Sequence, residues 1–139
     1  MRVLLDTDMV LDVMLARVPF AQTASRLLDL AEKGLFEAYI SSITPINVFY
    51  VARKAKSIRD LRQALGQLFQ TARVCLIDHS VLTNALASPI TDYEDAVQHA
   101  AATASQLDAI VTRNLKDYKN ATLPIFSPTD FLKQLTPPE

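Results

Sequence analysis

Carboxylates stand at or just past the ends of two apolar runs and at the start of an alanine-rich stretch. Asp6 ends the run RVLLD (2–6), and Asp8 follows two residues later. Asp92 and Asp95 open the alanine-rich stretch TDYEDAVQHAAATASQL (91–107). Thr112, Arg113 and Asn114 end or follow the run AIVT (109–112), with Asp117 three residues beyond. If Asp6, Asp95 and the 112–117 turn converge, they make an oxygen-rich cage. Such a cage suits a hard divalent ion, Mg²⁺ or Mn²⁺, which prefers carboxylate and water oxygens to thiolate or imidazole. An ion held this way lowers the pKa of a bound water and neutralises charge on a phosphate during in-line displacement, so a phosphodiester or phosphomonoester is the natural substrate. Zinc is not indicated, because neither His79 nor His99 pairs with Cys75 at a zinc-ligand spacing. Each acid also has a purely structural reading. Asp6 is placed to cap a following helix, Asp8 and Asp12 to favour its first turns, and Asp92 with Asp95 to act as a cap and an N3 acid.

The elements between these residues must bring them to one edge. RVLLD reads as a strand, and Val10, Val13, Met14 and Arg17 give the helix after it. Pro19 opens a second helix with Ala24, Leu27, Leu28, Leu30 and Ala31 as its apolar stripe and Gly34 as its stop. EAYIS (37–41) is a strand, and Thr44 with Pro45 reads as a cap and N1 pair for a helix running toward a basic segment. Ile58, Leu61, Leu65, Leu68 and Phe69 make an amphipathic helix, VCLI (74–77) a strand and 80–87 a short helix. Ala96, Ala100 and Ala104 recur every four residues, with Val97 and Ala101 beside them, which predicts a helix packed close to a sheet. AIVT and PIF (124–126) are the last strands, and Ser127 with Pro128 starts a closing helix. Strands alternating with helices predict an α/β fold: a three-layer α/β/α sandwich around a mainly parallel sheet of about four to five strands. Ligands of such sheets bind outside the carboxyl ends of the strands, where the acids fall.

Composition narrows the possibilities. The 139 residues read as one domain, 1–139, and are 50% hydrophobic and 21% charged, with 2 Gly and 7 Pro, which excludes collagen-like and disordered classes. Apolar runs stay far short of the ~18 residues of a membrane span, and no signal peptide is expected. Cys75, the single cysteine, lies in an apolar run and reads as a buried thiol in a reducing, cytoplasmic setting. Net charge is −1, so any polyanion must be held locally. Arg53, Lys54, Lys56, Arg59 and Arg62 face only Asp60 within ten residues, a local charge of +4. Taken alone, that run reads as a solvated helix face.

The order LLDTDMVLD, SSITPINVFYVARK, DYEDAVQHAAATA and DAIVTRNLKDY resembles the PIN-domain family, the metal-dependent ribonuclease fold used by VapC-type toxins of prokaryotic toxin–antitoxin pairs. The resemblance runs from Arg2 to about Leu132, and its most specific parts are the first-strand aspartate with its helix and DAIVTRNLKDY. It implies that Asp6 is the first metal ligand and Asp95 the carboxylate on the late helix, with Asp92 assisting. The 112–117 turn would supply the fourth position through Asn114 and Asp117, oriented by Thr112. Asn47 aligns where the family usually has a glutamate, and an amide there removes one negative charge unless Asp8, Asp92 or Asp117 compensates. Arg53, Lys54 and Lys56, expected on the helix of Asn47, would guide an RNA backbone with Arg59 and Arg62, joined by Arg113, Lys116 and Lys119. The resemblance further implies a homodimer and an antitoxin that inserts a segment into the active-site groove.

Two other functions fit parts of the chain. Asn47 and Asn114 favour a PIN-like module that binds RNA or a partner protein without cutting. Asp6, Asp8 and Val10 also resemble the first motif of haloacid-dehalogenase-type phosphatases, with Asp6 as nucleophile and Asp8 as acid/base. That motif lacks its companions here: Gly34 and Gly66 build no acidic glycine loop, and no suitably placed lysine follows the third strand.

Overall fold

The sheet is built from short runs whose alternate residues face opposite layers, as the two-residue period of a strand requires. In the computed structural model, which describes residues 1–136, these are β1 (Arg2–Leu5), β2 (Glu37–Ser41), β3 (Ala72–Cys75), β4 (Ala109–Val111) and β5 (Ile125–Phe126). They form one five-stranded sheet of order β3-β2-β1-β4-β5, every pair parallel. The helices are α1 (Thr7–Met14), α2 (Phe20–Glu32), α3 (Thr44–Ala52), α4 (Ile58–Thr71), α5 (His79–Ala85), α6 (Tyr93–Ala104) and α7 (Pro128–Leu135), with a 3-10 turn at Leu115–Tyr118. The last residues of the expected domain, 137–139, lie outside the described residues.

Val3, Leu5, Ala38, Ile40, Ala109 and Val111 face one layer, where Met9, Val10, Leu27, Val48, Leu68 and Phe131 bring in α1, α2, α3, α4 and α7. Leu4, Tyr39 and Ile110 face the other, against Val81 and Ala85 of α5 and Ala96, Val97, Ala101 and Ala102 of α6. The three layers are those expected from the alternation of elements. Cys75 is buried, and burial pushes its thiol up to about 11, which leaves it inert at neutral pH.

Local differences from the expected elements have physical causes. The stripe of α6 that meets the sheet is Ala96, Val97, Ala101 and Ala102, while Ala104 is exposed, because the packing face is rotated from the four-residue alanine repeat. Thr44 is the first residue of α3 and not its cap, since its hydroxyl is engaged inside the protein. The helix carrying Asn47 ends at Ala52 with Arg53 as C-cap, so Lys54 and Lys56 occupy the following turn instead of the helix. β3 begins directly after α4, two residues ahead of the expected run.

The chain runs outward from β1 to β3, then returns to β4 and β5. The strand order therefore reverses between β1 and β4, and the carboxyl ends of those strands border a crevice.

Candidate active site

Asp6, the first residue past β1, sits in that crevice with only 4% of its surface exposed. It caps α1, accepting the Thr7 amide on Oδ1 at 2.7 Å, so the capping reading of this residue holds alongside its place in the crevice. The Gln98 amide donates to the same oxygen, and the Thr112 hydroxyl donates to Oδ2 at 2.7 Å. Burial pushes the Asp6 carboxyl above its ordinary range, against the opposing pull of these hydrogen bonds. Gln98 is wholly buried and reaches across the layers: its Oε1 accepts from Ser41 Oγ at 3.1 Å and Thr44 Oγ1 at 3.5 Å, and its Nε2 lies 3.4 Å from the Tyr118 hydroxyl. Thr44 and Thr7 join their hydroxyls at 2.9 Å. Burial, then the negative field of Asp6, Asp95 and Asp8, holds Tyr118 protonated well above neutral pH, which makes it a hydrogen-bond donor.

Two further carboxylates flank this network. Asp8 accepts from Asn114 Nδ2 on Oδ2 at 2.8 Å, while its Oδ1 is buried without a hydrogen-bond partner. Burial, then the charges of Asp6 and Asp12 against the opposing Arg113, pushes Asp8 up to about 7. Asp95, in the first turn of α6, is also pushed up to about 7, by burial and then by Asp6, Asp92, Asp117 and Glu94. Glu94 accepts from Asn47 Nδ2 at 3.0 Å and is raised chiefly by burial, with Asp6 and Asp92 adding to the effect and the Asn47 bond opposing it. These mutual shifts place acids from α1, α6 and the 112–117 turn within one electrostatic field.

The structure thus brings together Asp6, Asp95, Thr112 and Asn114, with Asp8 beside them and Asn47 reached through Glu94. Asp92 is the N-cap of α6, accepting the Asp95 amide at 3.0 Å, and joins the field from the rim. Asp117 is exposed on the 3-10 turn next to Lys116, which is also exposed. Arg113, expected to contact substrate, is instead turned inward. Its guanidinium is bidentate on Asp12 at 2.7 and 3.1 Å and lies 3.9 Å over the Phe20 ring. Asp12 is 1% exposed and has a second cation, Arg17, at 3.7 Å, so burial of its charge requires this pairing. Arg53 and Lys54 are exposed, with Arg53 stacked over Tyr50 at 4.7 Å.

Sequence reasoning missed Glu94, Gln98, Tyr118, Ser41 and the pairing of Asp12 with Arg113. Glu94 adjoins a residue already singled out. Gln98 lies three residues past Asp95 on the same helix face, a polar side chain among alanines.

Asp6 is the one carboxylate among the described residues whose charge reaches both Asp8 and Asp95, and Asp8 Oδ1 is a buried oxygen without a hydrogen-bond partner, so the oxygens for a hard cation centre on Asp6 with Asp95 or Asp8 beside it. Among the described residues, no group of three or more His, Cys, Asp or Glu side chains is disposed to hold an ion together. Mg²⁺ commonly uses one or two carboxylates and keeps several waters, a requirement this donor set meets. Asp6, enclosed by three donors, is poorly disposed to attack as a phosphatase nucleophile.

A family model described as PIN domain matches residues 2–116. No curated protein sequence matches the chain. Among solved structures, the chain is similar to VapBC2 from Rickettsia felis bound to a promoter DNA fragment, at 18% identity and a TM-score of 0.70 over 91% of this chain and 98% of that one. A toxin–antitoxin complex from Klebsiella pneumoniae gives 22% identity and 0.69 over 91% and 97%. The sarcin–ricin-loop-cleaving toxin VapC20 of Mycobacterium tuberculosis gives 16% and 0.62 over 78% and 86%. At these identities the likeness is one of fold.

Proposed function

The chain belongs to the PIN-domain family, and from that premise we propose that it is a Mg²⁺- or Mn²⁺-dependent endoribonuclease, a single-domain toxin of a toxin–antitoxin pair. The observation that carries this reading is the unbalanced negative charge of the crevice. Asp8 has a buried oxygen with no partner, and Asp8 and Asp95 are both held near 7 by burial and by neighbouring acids. Asp6 and Asp95 would hold the cation, with Asp8 beside Asp6 and Asp92 and Asp117 at the rim. When bound, the ion supplies charge neutralisation and an acidified water for attack on the phosphodiester. The chain's own residues do the positioning. Gln98 and Thr112 fix the Asp6 carboxylate, Asn114 holds Asp8, and Tyr118 offers a proton-bearing hydroxyl to the acids around it. Asn47 stands where the family usually has an acid, but Glu94 lies on its amide and returns a carboxylate to that place.

RNA is the favoured substrate because one similar structure is named as a toxin that cleaves the sarcin–ricin loop. An antitoxin partner is favoured because similar structures are toxin–antitoxin complexes. The homodimer stays a proposal of the family resemblance. Lys54, Lys116 and the other exposed cations remain the candidate phosphate contacts, and Arg113 leaves that set.

The test is cleavage of an RNA panel, including tRNA and structured rRNA fragments, with Mn²⁺ or EDTA, comparing the wild type with Asp6→Asn and Asp95→Asn. Metal-dependent cutting that both substitutions abolish is the expected result. A wild type that binds RNA and cuts none of it would favour the non-cutting module.

A further inference from the structure

On the outer face of α3 and α4 lies a shallow, open groove of about 460 Å³ lined by Ile46, Phe49, Tyr50, Arg62, Leu65 and Phe69. Two aromatic rings stand open in it, Tyr50 at 57% and Phe69 at 50% exposure. Neither belongs to the core of either layer. The Tyr50 ring is held from two sides: Arg53 lies over it at 4.7 Å, and Phe49 meets it edge-on, centroids 6.5 Å apart at 89°. Ile46 also lines the neighbouring cleft that contains Asn47 and Glu94, so the groove adjoins the Asn47–Glu94 side of the candidate active site. Tyr50 lies one turn along α3 from Asn47, a rise of roughly 5 Å.

The charge around these rings is one-sided. Arg53, Lys54, Lys56, Arg59 and Arg62 are all exposed, and none of them forms an ion pair among the described residues. A second copy of the chain docking here through a two-fold axis would press this +4 segment against its own image. An apolar peptide would fill the groove but leave the cations unanswered. Exposed rings interleaved with cations that have no acidic partner among the described residues match a strand that offers flat bases and phosphates together.

We propose that Tyr50 and Phe69, flanked by Arg53 and Arg62, form a base-stacking platform that takes unpaired nucleotides of a single-stranded RNA segment leading into the acid crevice. This rests on the reading that the substrate is RNA. Stacking on a ring face needs an unstacked base, so the platform discriminates single strand from duplex, while the surrounding cations serve both. Tyr50 and Phe69 supply the preference and Arg53 and Arg62 the salt-dependent attraction.

Fluorescence anisotropy of the full chain in EDTA tests this, with a labelled single-stranded oligoribonucleotide and an RNA duplex of equal length as probes. Tyr50→Ala and Phe69→Ala should each weaken single-strand binding on the order of tenfold while leaving duplex binding and the salt slope unchanged. Tyr50→Phe should keep wild-type affinity, and Arg53→Ala or Arg62→Ala should weaken both probes and flatten the salt slope. Both rings are half exposed, and far-UV circular dichroism verifies that the variants fold. Single-strand affinity unmoved by ring removal, or lost equally for both probes, overturns the platform. So does a dimer in sedimentation that Tyr50→Ala dissociates with RNA affinity intact, which would make the face a contact between copies. A wild type that cuts no RNA but keeps its ring-dependent preference for single strands sinks the nuclease and leaves the platform. Cleavage with a KM untouched by Tyr50→Ala sinks the platform and leaves the nuclease, and a chain that binds neither probe sinks both.

Discussion

Asp8 and Asp95 each hold a proton more tightly in the folded chain than in the unfolded one, at about 7 against an ordinary value of 3.8. Between those values the folded state binds more protons, so its stability falls as pH rises through that window. The ion-free protein is therefore expected to melt at a higher temperature at pH 5 than at pH 8, and Asp8→Asn to remove part of that difference. His99, which burial holds below its usual value, works in the opposite direction near the acid end, so the comparison of variant with wild type isolates Asp8. Thermal melts in EDTA read this directly. A wild-type melting temperature that rises from pH 5 to pH 8, with Asp8→Asn unchanged in slope, would contradict the crowding of the acids. Mn²⁺ added at pH 8 should restore the melting temperature, because it supplies the missing positive charge. At this scale Asp6, Asp8 and Asp117 were legible because they follow apolar runs, and Asp92 and Asp95 because they open an alanine-rich stretch, while Glu94 between them was missed. Gln98 and Tyr118 were not, since an amide and a phenol gain their significance only from the carboxylates that the fold brings to them.

The Asp12–Arg113 pair ties α1 to the turn after β4, and so holds Asp8 and Asn114 in reach of each other. Arg113→Ala leaves a buried carboxylate with only Arg17 nearby and should cost about 3 kcal/mol in urea denaturation. Asp12→Asn introduced into that variant should recover much of the loss, and a fully additive double mutant would rule out the pairing as the cause. The spacing of apolar residues marked every strand and helix, yet the ends of several elements were decided elsewhere. Thr44 illustrates this, as it has the sequence of a helix cap but turns its hydroxyl to Thr7 and Gln98. Arg113 is another case. Read along the chain it is one more cation near the 112–117 turn, and only the approach of α1 and of the start of α2 to that turn gives it Asp12 and Phe20 as partners.

For the whole molecule, the closing helix α7 locks one layer through Phe131, which is fully buried and meets Phe36 edge-on with centroids 5.1 Å apart and Phe126 at 5.7 Å. Phe131→Ala should cost about 3–4 kcal/mol, measured by denaturant unfolding, through lost contacts and a cavity. It should leave the electrostatics of the crevice unchanged, because the helix packs on the layer opposite α6. The α/β class, the parallel sheet and the family were determined by the chain itself, since hydrophobic period and element order are local properties written residue by residue. Which acids face one another was decided by the tertiary structure. The reversal of strand order between β1 and β4 opens the crevice, brings residues as far apart as Asp6 and Gln98 into hydrogen-bond contact, and turns Arg113 away from it. Electrostatic coupling and burial depend on distances through space, which no spacing along the chain specifies.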